Sequence, residues 1–281
     1  MTAWRAVLVL AVLALGWHAL SLNLADHYVL KAQQGDQAAI GTALWWEEHP
    51  DALAIRARDR LTDDDANNDS AALADLRRSL LLAPTGARQA ANLAQWYAAE
   101  GGGEPLPLVR VADRLDPVDW RVQRALFLVE SQLGDFAAAI GHLARALVGN
   151  PDLRADYFPV LQQVAEDPAA RELLAPIARD PSPYNWWNSF IRHLARDAES
   201  VEPLRGVIAL REQAGGLPLQ PYERNQYVDR LRRDGLIKEA YLHWVNGLTQ
   251  AQLEALGYLF DGGFEFDFAN DAGFGWYANP P

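Results

Sequence analysis

Apolar residues recur at helical spacing through most of the chain, most clearly between Asp116 and Pro151. Gly134-Asp135 interrupts this run, and glycine suits a tight turn because it tolerates positive φ. Asn150-Pro151 ends the run, since a proline disfavours helix at the residue before it. The pattern therefore predicts two helices joined by a turn. Its apolar positions are Leu126, Val129, Leu133, Phe136, Ala139, Ile140, Leu143, Ala146 and Leu147.

Six prolines recur at intervals of 32 to 35 residues along the chain. They are Pro50, Pro84, Pro117, Pro151, Pro183 and Pro218. A period of about 34 residues with helical patterns in between is typical of stacked helix–turn–helix repeats, which usually bind partners through an extended surface. Because the turn recurs at Asp234-Gly235, we expect about six or seven helix pairs over residues 24–255. An irregular all-helical domain with accidental proline spacing is the alternative.

One of these units resembles the tetratricopeptide family. Ala139, Leu143, Ala146 and Pro151 stand at the intervals of that family's alanine, large apolar, alanine and proline positions. Other units are degenerate, since Ser79, for example, replaces the second alanine. The resemblance implies an all-α solenoid whose concave groove is lined by the first helix of each pair and holds a partner protein.

The N-terminal segment, residues 3–23, is almost entirely apolar and approaches the roughly 20 residues that span a bilayer. Arg5 precedes the apolar run and Asp26 follows it, so the positive-inside rule predicts a cytoplasmic N-terminus. We expect an uncleaved single-pass anchor in a bacterial inner membrane, with the rest of the chain in the periplasm. A cleaved signal peptide is the alternative. The helix is expected to continue into the first repeat, since no glycine or proline lies between residue 23 and Gly35.

Composition and motifs give little support to catalysis. The formal net charge of -12 argues against nucleic acid or an anionic membrane surface as the main partner. The absence of cysteine excludes disulfides, thiolate zinc sites and cysteine nucleophiles. No metalloprotease, phosphate-loop or serine-hydrolase motif occurs, and the acidic run at Asp63, Asp65 and Asn67 lacks the glycine and glutamate of a calcium loop. We therefore expect no enzyme, no cofactor and no metal site.

Polar residues at matched positions of successive first helices are candidates for the lining of the groove. They are Arg88, Asn92, Gln95, Arg121, Arg124, Asn188, Arg192, Arg224 and Asn225. Arginine at such positions would suit acidic segments of a partner. The alternative is that these residues form ordinary solvated helix faces.

Tryptophan is frequent, with ten in the chain, and Trp45-Trp46 and Trp186-Trp187 are adjacent pairs. Neighbours on a helix point about 100° apart, so we expect one ring of each pair to pack and the other to face outward. Exposed rings could stack on sugars, with Trp186, Trp187 and Trp276 as the candidates. Filling of gaps between irregular repeats is the alternative.

The helical pattern stops near residue 256, and residues 256–281 are predicted to form a β-like tail because phenylalanines there alternate with acidic residues. This tail resembles the opening strand of carbohydrate-binding-type β-sandwich domains. The resemblance is carried by Gly262, Gly263, Phe264, Glu265 and Trp276. The tail would be either the first strand of a sandwich truncated here, or a strand that packs on the repeats or adds to a partner's sheet.

The combined features predict a membrane-anchored envelope scaffold that binds partner proteins. Anchored repeats with a carbohydrate-binding-like ending resemble accessory proteins of surface or exopolysaccharide biosynthesis and export, which implies polysaccharide assembly components as partners. A glycan-binding protein that uses tryptophan and tyrosine stacking is the alternative, and an envelope hydrolase or transferase is a weaker one.

Overall fold

The computed structural model describes residues 2–62, 66–212, 218–254, 256 and 274. Over these residues the chain consists of helices and turns without a β-strand, which confirms the all-α class. The chain divides into two compact units, residues 1–142 (unit 1) and 143–281 (unit 2), and the division falls inside a helix. The predicted β-like tail lies outside the described residues except for Leu256 and Phe274.

Unit 1 contains seven helices of the described chain and the first half of an eighth. They are α1 (Thr2–Gln33), α2 (Ala38–Trp46), α3 (Pro50–Thr62), α4 (Ala66–Leu82), α5 (Ala87–Glu100), α6 (Pro105–Leu115), α7 (Trp120–Leu133) and α8 (Phe136–Gly149). Helix α1 packs against α2, α3 against α4, and α5 against α6. The first helices also touch along the series, α1 with α3, α3 with α5, and α5 with α7.

Polar contacts show that α3 and α4 run antiparallel. Ser79 Oγ near the end of α4 donates a hydrogen bond to the carbonyl of Pro50 at the start of α3, at 2.7 Å. Arg60 near the end of α3 donates to Asp75 Oδ2 earlier in α4, at 2.6 Å. Hairpins that repeat in this way bury one face of each helix against the next pair.

The core of unit 1 is built mainly from alanine. One cluster between α5, α6 and α7 combines six buried alanines with valine and leucine. Its alanines are Ala87, Ala90, Ala91, Ala94, Ala112 and Ala125. Small side chains let helix backbones approach closely, and this approach keeps the helix pairs regular.

The turns predicted from glycine are confirmed. Helix α7 ends at Leu133, Gly134 adopts a positive φ of 80°, and α8 begins at Phe136. Gly235 adopts a φ of 77° between α14 and α15. Both turns need a backbone conformation that only glycine adopts without strain.

Unit 2 contains the second half of α8 and shorter helices. They are α9 (Arg154–Glu166), α10 (Pro168–Arg171), α11 (Ala175–Arg179), α12 (Trp187–Asp197), α13 (Glu202–Glu212), α14 (Pro221–Arg233), α15 (Ile237–Val245) and α16 (Gln250–Glu254). Two single turns of 3₁₀ helix, Pro151–Leu153 and Glu172–Leu174, join some of them. Helix α14 packs on α15 and on α12, and α13 packs on α9 and α11.

All six periodic prolines lie at helix boundaries. Taken in chain order over the described residues, they separate seven successive groups of helices, from α1–α2 to α14–α15. The fifth group contains three helices, α9 to α11, where a regular repeat has two, and only α10 and α11 are short. The prolines therefore mark divisions between successive groups of helices, and the solenoid arrangement of these groups stays a prediction.

Helix α1 is long and apolar enough to cross a membrane. The most apolar 18-residue window within Val7–Gln33 has a mean hydropathy of 2.0, and only 6% of that window is buried. The helix continues without a break beyond residue 23, as predicted. Ala25, Val29 and Ala32 near its end are buried against α2 and α3, so the apolar segment and unit 1 share one continuous helix.

Candidate functional site

The candidate groove residues of unit 1 lie on two helices that touch each other, α5 and α7. Arg88, Asn92 and Gln95 are half-buried at i, i+4 and i+7 of α5, so they share one face. Arg88 Nε donates to Asp119 Oδ2 at 2.5 Å. Asp119 also caps α7 by accepting from the backbone N–H of Arg121 at 2.8 Å. The charge of Arg88 is therefore already balanced within the unit.

Helix α7 contributes the more accessible cations of this pair. Arg121 and Arg124 are both exposed. The guanidinium of Arg121 lies over the ring of Trp120, 4.6 Å from its centroid. An arginine that stacks on an aromatic face keeps its donors available to a partner carboxylate.

The candidates of unit 2 also lie on two contacting helices, α12 and α14. Asn188 and Arg192 are exposed one turn apart on α12, and Arg192 Nε donates to the hydroxyl of Tyr222 on α14 at 2.5 Å. Arg224 is half-buried and donates to the carbonyls of Gly247 and Leu219, at 3.4 and 3.3 Å. Asn225 next to it is half-buried too. In this structure Arg224 therefore braces the two ends of the α14–α15 hairpin.

A pocket of about 300 Å³ lies at the N-terminal end of α12 within unit 2. Its lining residues are Pro181, Ser182, Tyr184, Asn185, Trp187, Asn188, Arg211, Gln220 and Glu223. Two of them, Trp187 and Asn188, are candidates from the sequence. The others come from the turn before α12, the end of α13 and the start of α14.

A buried ion pair forms the floor of this pocket. Arg211 Nε lies 3.0 Å from Glu223 Oε2, and their side chains are 1% and 0% exposed. The indole N–H of Trp187 donates to Glu223 Oε1 at 2.5 Å, and the backbone N–H of Gln220 donates to Oε2 at 2.6 Å. The carboxylate thus accepts three hydrogen bonds, which compensate for its removal from water.

The guanidinium of Arg211 is also satisfied on its other side. It donates to the backbone carbonyls of Ala178 and Pro218, at 3.2 and 3.3 Å. The pair therefore ties α11, α13, α14 and the first turn of α12 together. Because each guanidinium nitrogen and both carboxylate oxygens are hydrogen-bonded, this floor is held in place from several helices.

The rim of the pocket carries hydroxyl and amide groups. The side chain and backbone N–H of Ser182 hydrogen-bond to Asp180 and hold the pKa of that carboxyl below its usual value of 3.8. Asn185 Oδ1 accepts from Arg154 at 2.9 Å. Asn188 is exposed beside them. These groups can hydrogen-bond a neutral polar ligand.

The two pairs of adjacent tryptophans differ in the exposure of their rings. Trp45 is 74% exposed beside a half-buried Trp46, which confirms the expectation for that pair. Trp186 and Trp187 are 0% and 3% exposed, so the expectation of one outward ring is wrong there. Both pack in a cluster of aromatic rings with Phe190. Stacking on sugar needs an open ring face, and neither ring has one. Trp276, the third stacking candidate, lies outside the described residues.

The sequence analysis missed Arg211 and Glu223. A local signal existed for Glu223, because Pro221 at the first helical position followed by glutamate at the third is typical of a helix start. Nothing local could have paired Glu223 with Arg211, which lies on another helix.

Within the described ranges no group of three or more histidines and carboxylates is arranged to hold a metal ion. Asp63 and Asp65 lie outside those ranges.

No protein family, curated protein or solved structure matches this chain. The geometry alone therefore defines its class: over the described residues, an all-α protein with one N-terminal helix that is long and apolar enough to cross a membrane.

Proposed function

We propose that the protein is a membrane-anchored scaffold whose helix pairs bind partner proteins. The observation that carries this proposal is the continuity of α1. Its N-terminal part exposes apolar side chains from Trp4 to Leu22, whereas Ala25, Val29 and Ala32 are buried in the core of unit 1. A helix of this kind would hold the folded units at a fixed position beside the bilayer.

A tetratricopeptide-like solenoid is the architecture we propose for the helix pairs. The contacts of each first helix in unit 1 with the next first helix support it, and so does the phase of the six prolines. The exposed cations of α7 and α12 would then meet acidic or extended segments of a partner. The charges around α1 lead us to propose a periplasmic location for the folded units. The resemblance to accessory proteins of polysaccharide biosynthesis and export leads us to propose polysaccharide assembly components as partners.

The anchor and its orientation can be tested with the full chain, which has no cysteine. Thr2→Cys and Lys238→Cys variants would be expressed in a bacterial host and treated with a membrane-impermeant maleimide in intact spheroplasts. We expect labelling at position 238 alone, with both positions labelled after lysis. Release of the protein by alkaline carbonate, or labelling of position 2 alone, contradicts the proposal.

Partner binding can be tested with a photo-crosslinking residue at Arg121 on α7. The matched control is Arg114 on α6, which is also exposed but lies on a second helix. We expect a discrete crosslinked protein from position 121 and none from position 114. Equal crosslinking at both positions contradicts a binding surface on the first helices.

Glycan binding is a second candidate function, favoured by the amide and hydroxyl groups around the pocket of unit 2. Such groups match the hydroxyls of a neutral sugar. Binding of neutral oligosaccharides would be followed by tryptophan fluorescence, to which Trp187 contributes because its indole contacts the pocket floor. We expect Asn188→Ala to weaken binding, and Asn225→Ala, outside the pocket lining, to leave it unchanged. An equal loss in both variants, or no fluorescence response, removes this candidate.

A further inference from the structure

The connections between successive helix pairs in unit 1 each expose large apolar side chains. Trp45 near the end of α2 is 74% exposed, Leu81 near the end of α4 is 72% exposed, and Val118 after α6 is 81% exposed. Leu82 and Leu115 beside them are exposed as well. We call these five residues the apolar edge.

A continuous series of polar contacts places these connections at one end of unit 1. Arg78 near the end of α4 donates to both carboxylate oxygens of Glu48, which follows α2, at 2.8 and 2.6 Å. Gln89 at the start of α5 donates to Asp51 at the start of α3, at 2.6 Å. The connection after α4 therefore lies beside the connection after α2.

The third connection joins the same series. Arg88 at the start of α5 contacts Asp119 at the start of α7, and Asp119 follows Val118 directly. Trp45, Leu81 and Val118 therefore lie at or beside neighbouring connections. Turns at the other ends of these helices are about 20 Å away, the length of a helix such as α7 with its 14 residues.

Helix α1 leaves unit 1 at this same end. The rings of Trp17 and Trp46 are 5.9 Å apart, and those of Trp45 and Trp46 are 4.8 Å apart. Ser21 Oγ lies 3.3 Å from Glu47 Oε2 in a hydrogen bond. Between Trp4 and Leu20, α1 is apolar except for Arg5 and His18, and its large apolar side chains are exposed. That stretch is close to the roughly 20 residues that cross a bilayer, so Ser21 falls near the membrane boundary.

We propose that the apolar edge inserts into the interface of the bilayer that α1 crosses, so that unit 1 docks directly on the membrane surface. This inference rests on the proposed function, in which α1 spans the bilayer. The bilayer is the occupant because the edge is continuous with α1 through Trp17 and Trp46, and a spanning α1 brings the edge to the lipid headgroups. Tryptophan is the side chain that favours that region most, and apolar side chains beside it insert into the headgroup boundary.

The distribution of charge agrees with this orientation despite the net charge of -12. Among the acidic side chains near the apolar edge, Glu48 is paired with Arg78 and Asp119 with Arg88, whereas Glu47, Asp51 and Asp116 hydrogen-bond to neutral donors. The exposed acidic residues of unit 1 include a set at the turns of the opposite end. These are Asp36, Glu100, Glu104 and Asp135. A zwitterionic lipid surface therefore fits this edge better than an anionic one.

The test uses the full chain in phosphatidylcholine vesicles, with single cysteines that carry an environment-sensitive fluorophore. Leu81→Cys and Val118→Cys report the apolar edge, and both side chains are exposed, so neither change disturbs the core. Phe136→Cys is the matched control, since Phe136 is an exposed apolar residue at the opposite end of α7. Leu13→Cys reports whether α1 spans the bilayer. Quenching is measured with lipids that carry a nitroxide near the headgroup or deep in the acyl chain.

We expect deep quenching at position 13, headgroup-level quenching at 81 and 118, and several-fold weaker quenching at 136. If position 13 is quenched but 81 and 118 respond as weakly as 136, the anchor stands and the docking proposal is overturned. If position 13 escapes quenching, the proposed anchor fails and the inference fails with it. Shielding of 81 and 118 that depends on protein concentration without lipid quenching indicates a second copy on the edge and overturns the proposal.

Discussion

The two units of this protein are both helical, but they fill their cores with different side chains. Unit 1 buries alanines such as Ala43, Ala57, Ala90 and Ala94, each 0% exposed. Unit 2 buries large rings, among them Trp186, Phe190 and Tyr227. Small core residues keep helices close and evenly spaced, whereas rings fill the wider gaps left between short helices. Regular and irregular helix packing can therefore follow each other in one chain.

The two units also differ in how far their ion pairs are exposed to water. Unit 1 ties α3 to α4 through Asp75, which accepts from both Arg56 and Arg60 near the surface. Unit 2 encloses Arg211 and Glu223 completely. An ion pair near water gains little net free energy, but a buried pair is costly to break because the remaining charge has no solvent. We therefore expect unit 2 to respond more strongly to the loss of one charge.

Substitution of Glu223 should have the largest effect. Glu223→Ala leaves the Arg211 guanidinium buried without its carboxylate and frees the Trp187 indole, and we expect a loss of about 3–5 kcal/mol of unfolding free energy in unit 2. The measurement is denaturant-dependent labelling of a buried cysteine at Ala195 in unit 2, compared with one at Ala94 in unit 1.

The matched control for that change is Glu48→Ala, which removes the exposed partner of Arg78. We expect only a small shift in unit 1, since water replaces the lost contact. If the two changes destabilise their units equally, the contrast between buried and exposed pairs is wrong.

Asp75→Asn tests the intermediate case. Asp75 is only 7% exposed but its arginine partners reach solvent. The neutral amide keeps the shape and loses charge-assisted hydrogen bonds, so we expect a loss of about 1.5–3 kcal/mol. The effect should appear in labelling at position 94 and leave position 195 unchanged. A response confined to position 195 would contradict the assignment of this tie to unit 1.

A larger side chain in the core of unit 1 should show how much that unit depends on close helix packing. Ala90 is 0% exposed, so Ala90→Leu inserts a larger side chain into the core of unit 1. We expect a loss of about 1–3 kcal/mol of unfolding free energy because neighbouring helices must separate. Ala99→Leu on the same helix is the control, since Ala99 is exposed and leucine is a good helix former. An equal loss in both variants would indicate that the close approach of helices is not what unit 1 depends on.

The sequence predicted unit 1 better than unit 2 for a physical reason. Proline, glycine and alanine act locally, so Gly134 and Pro117 mark helix ends whatever surrounds them. The pocket floor depends on Arg211 and Glu223, which meet only through tertiary packing and follow no spacing rule. Trp187 and Asn188 were selected from the sequence, but the burial of Trp187 results from helices distant along the chain. The apolar edge was hidden as well, because Trp45, Leu81 and Val118 come together only after the pairs stack.

Glu239 in unit 2 and Glu130 in unit 1 give the comparison with the smallest expected effects, because their surroundings shift the pKa in opposite directions. Arg205 donates to both oxygens of Glu239, and Tyr227 donates to one of them, which holds the pKa of Glu239 below 4.5. In unit 1, burial raises the pKa of Glu130 above 4.5, and nearby Asp135 adds to the rise. Two glutamates thus depart from the same usual value in opposite directions.

The signs of the resulting pH dependence are opposite. Glu239 contributes stability that is present above about pH 4.5 and is lost as the pH falls through its lowered folded value. Glu130 binds its proton more tightly in the folded state, so its cost develops as the pH rises through and above 4.5. At pH 7, Glu239→Gln should therefore destabilise unit 2 by about 1 kcal/mol or less, and Glu130→Gln should stabilise unit 1 slightly. Both differences should shrink below pH 4, as followed by labelling at positions 195 and 94. Shifts of the same sign at pH 7 would mean that the two carboxyls do not differ in environment as their contacts indicate.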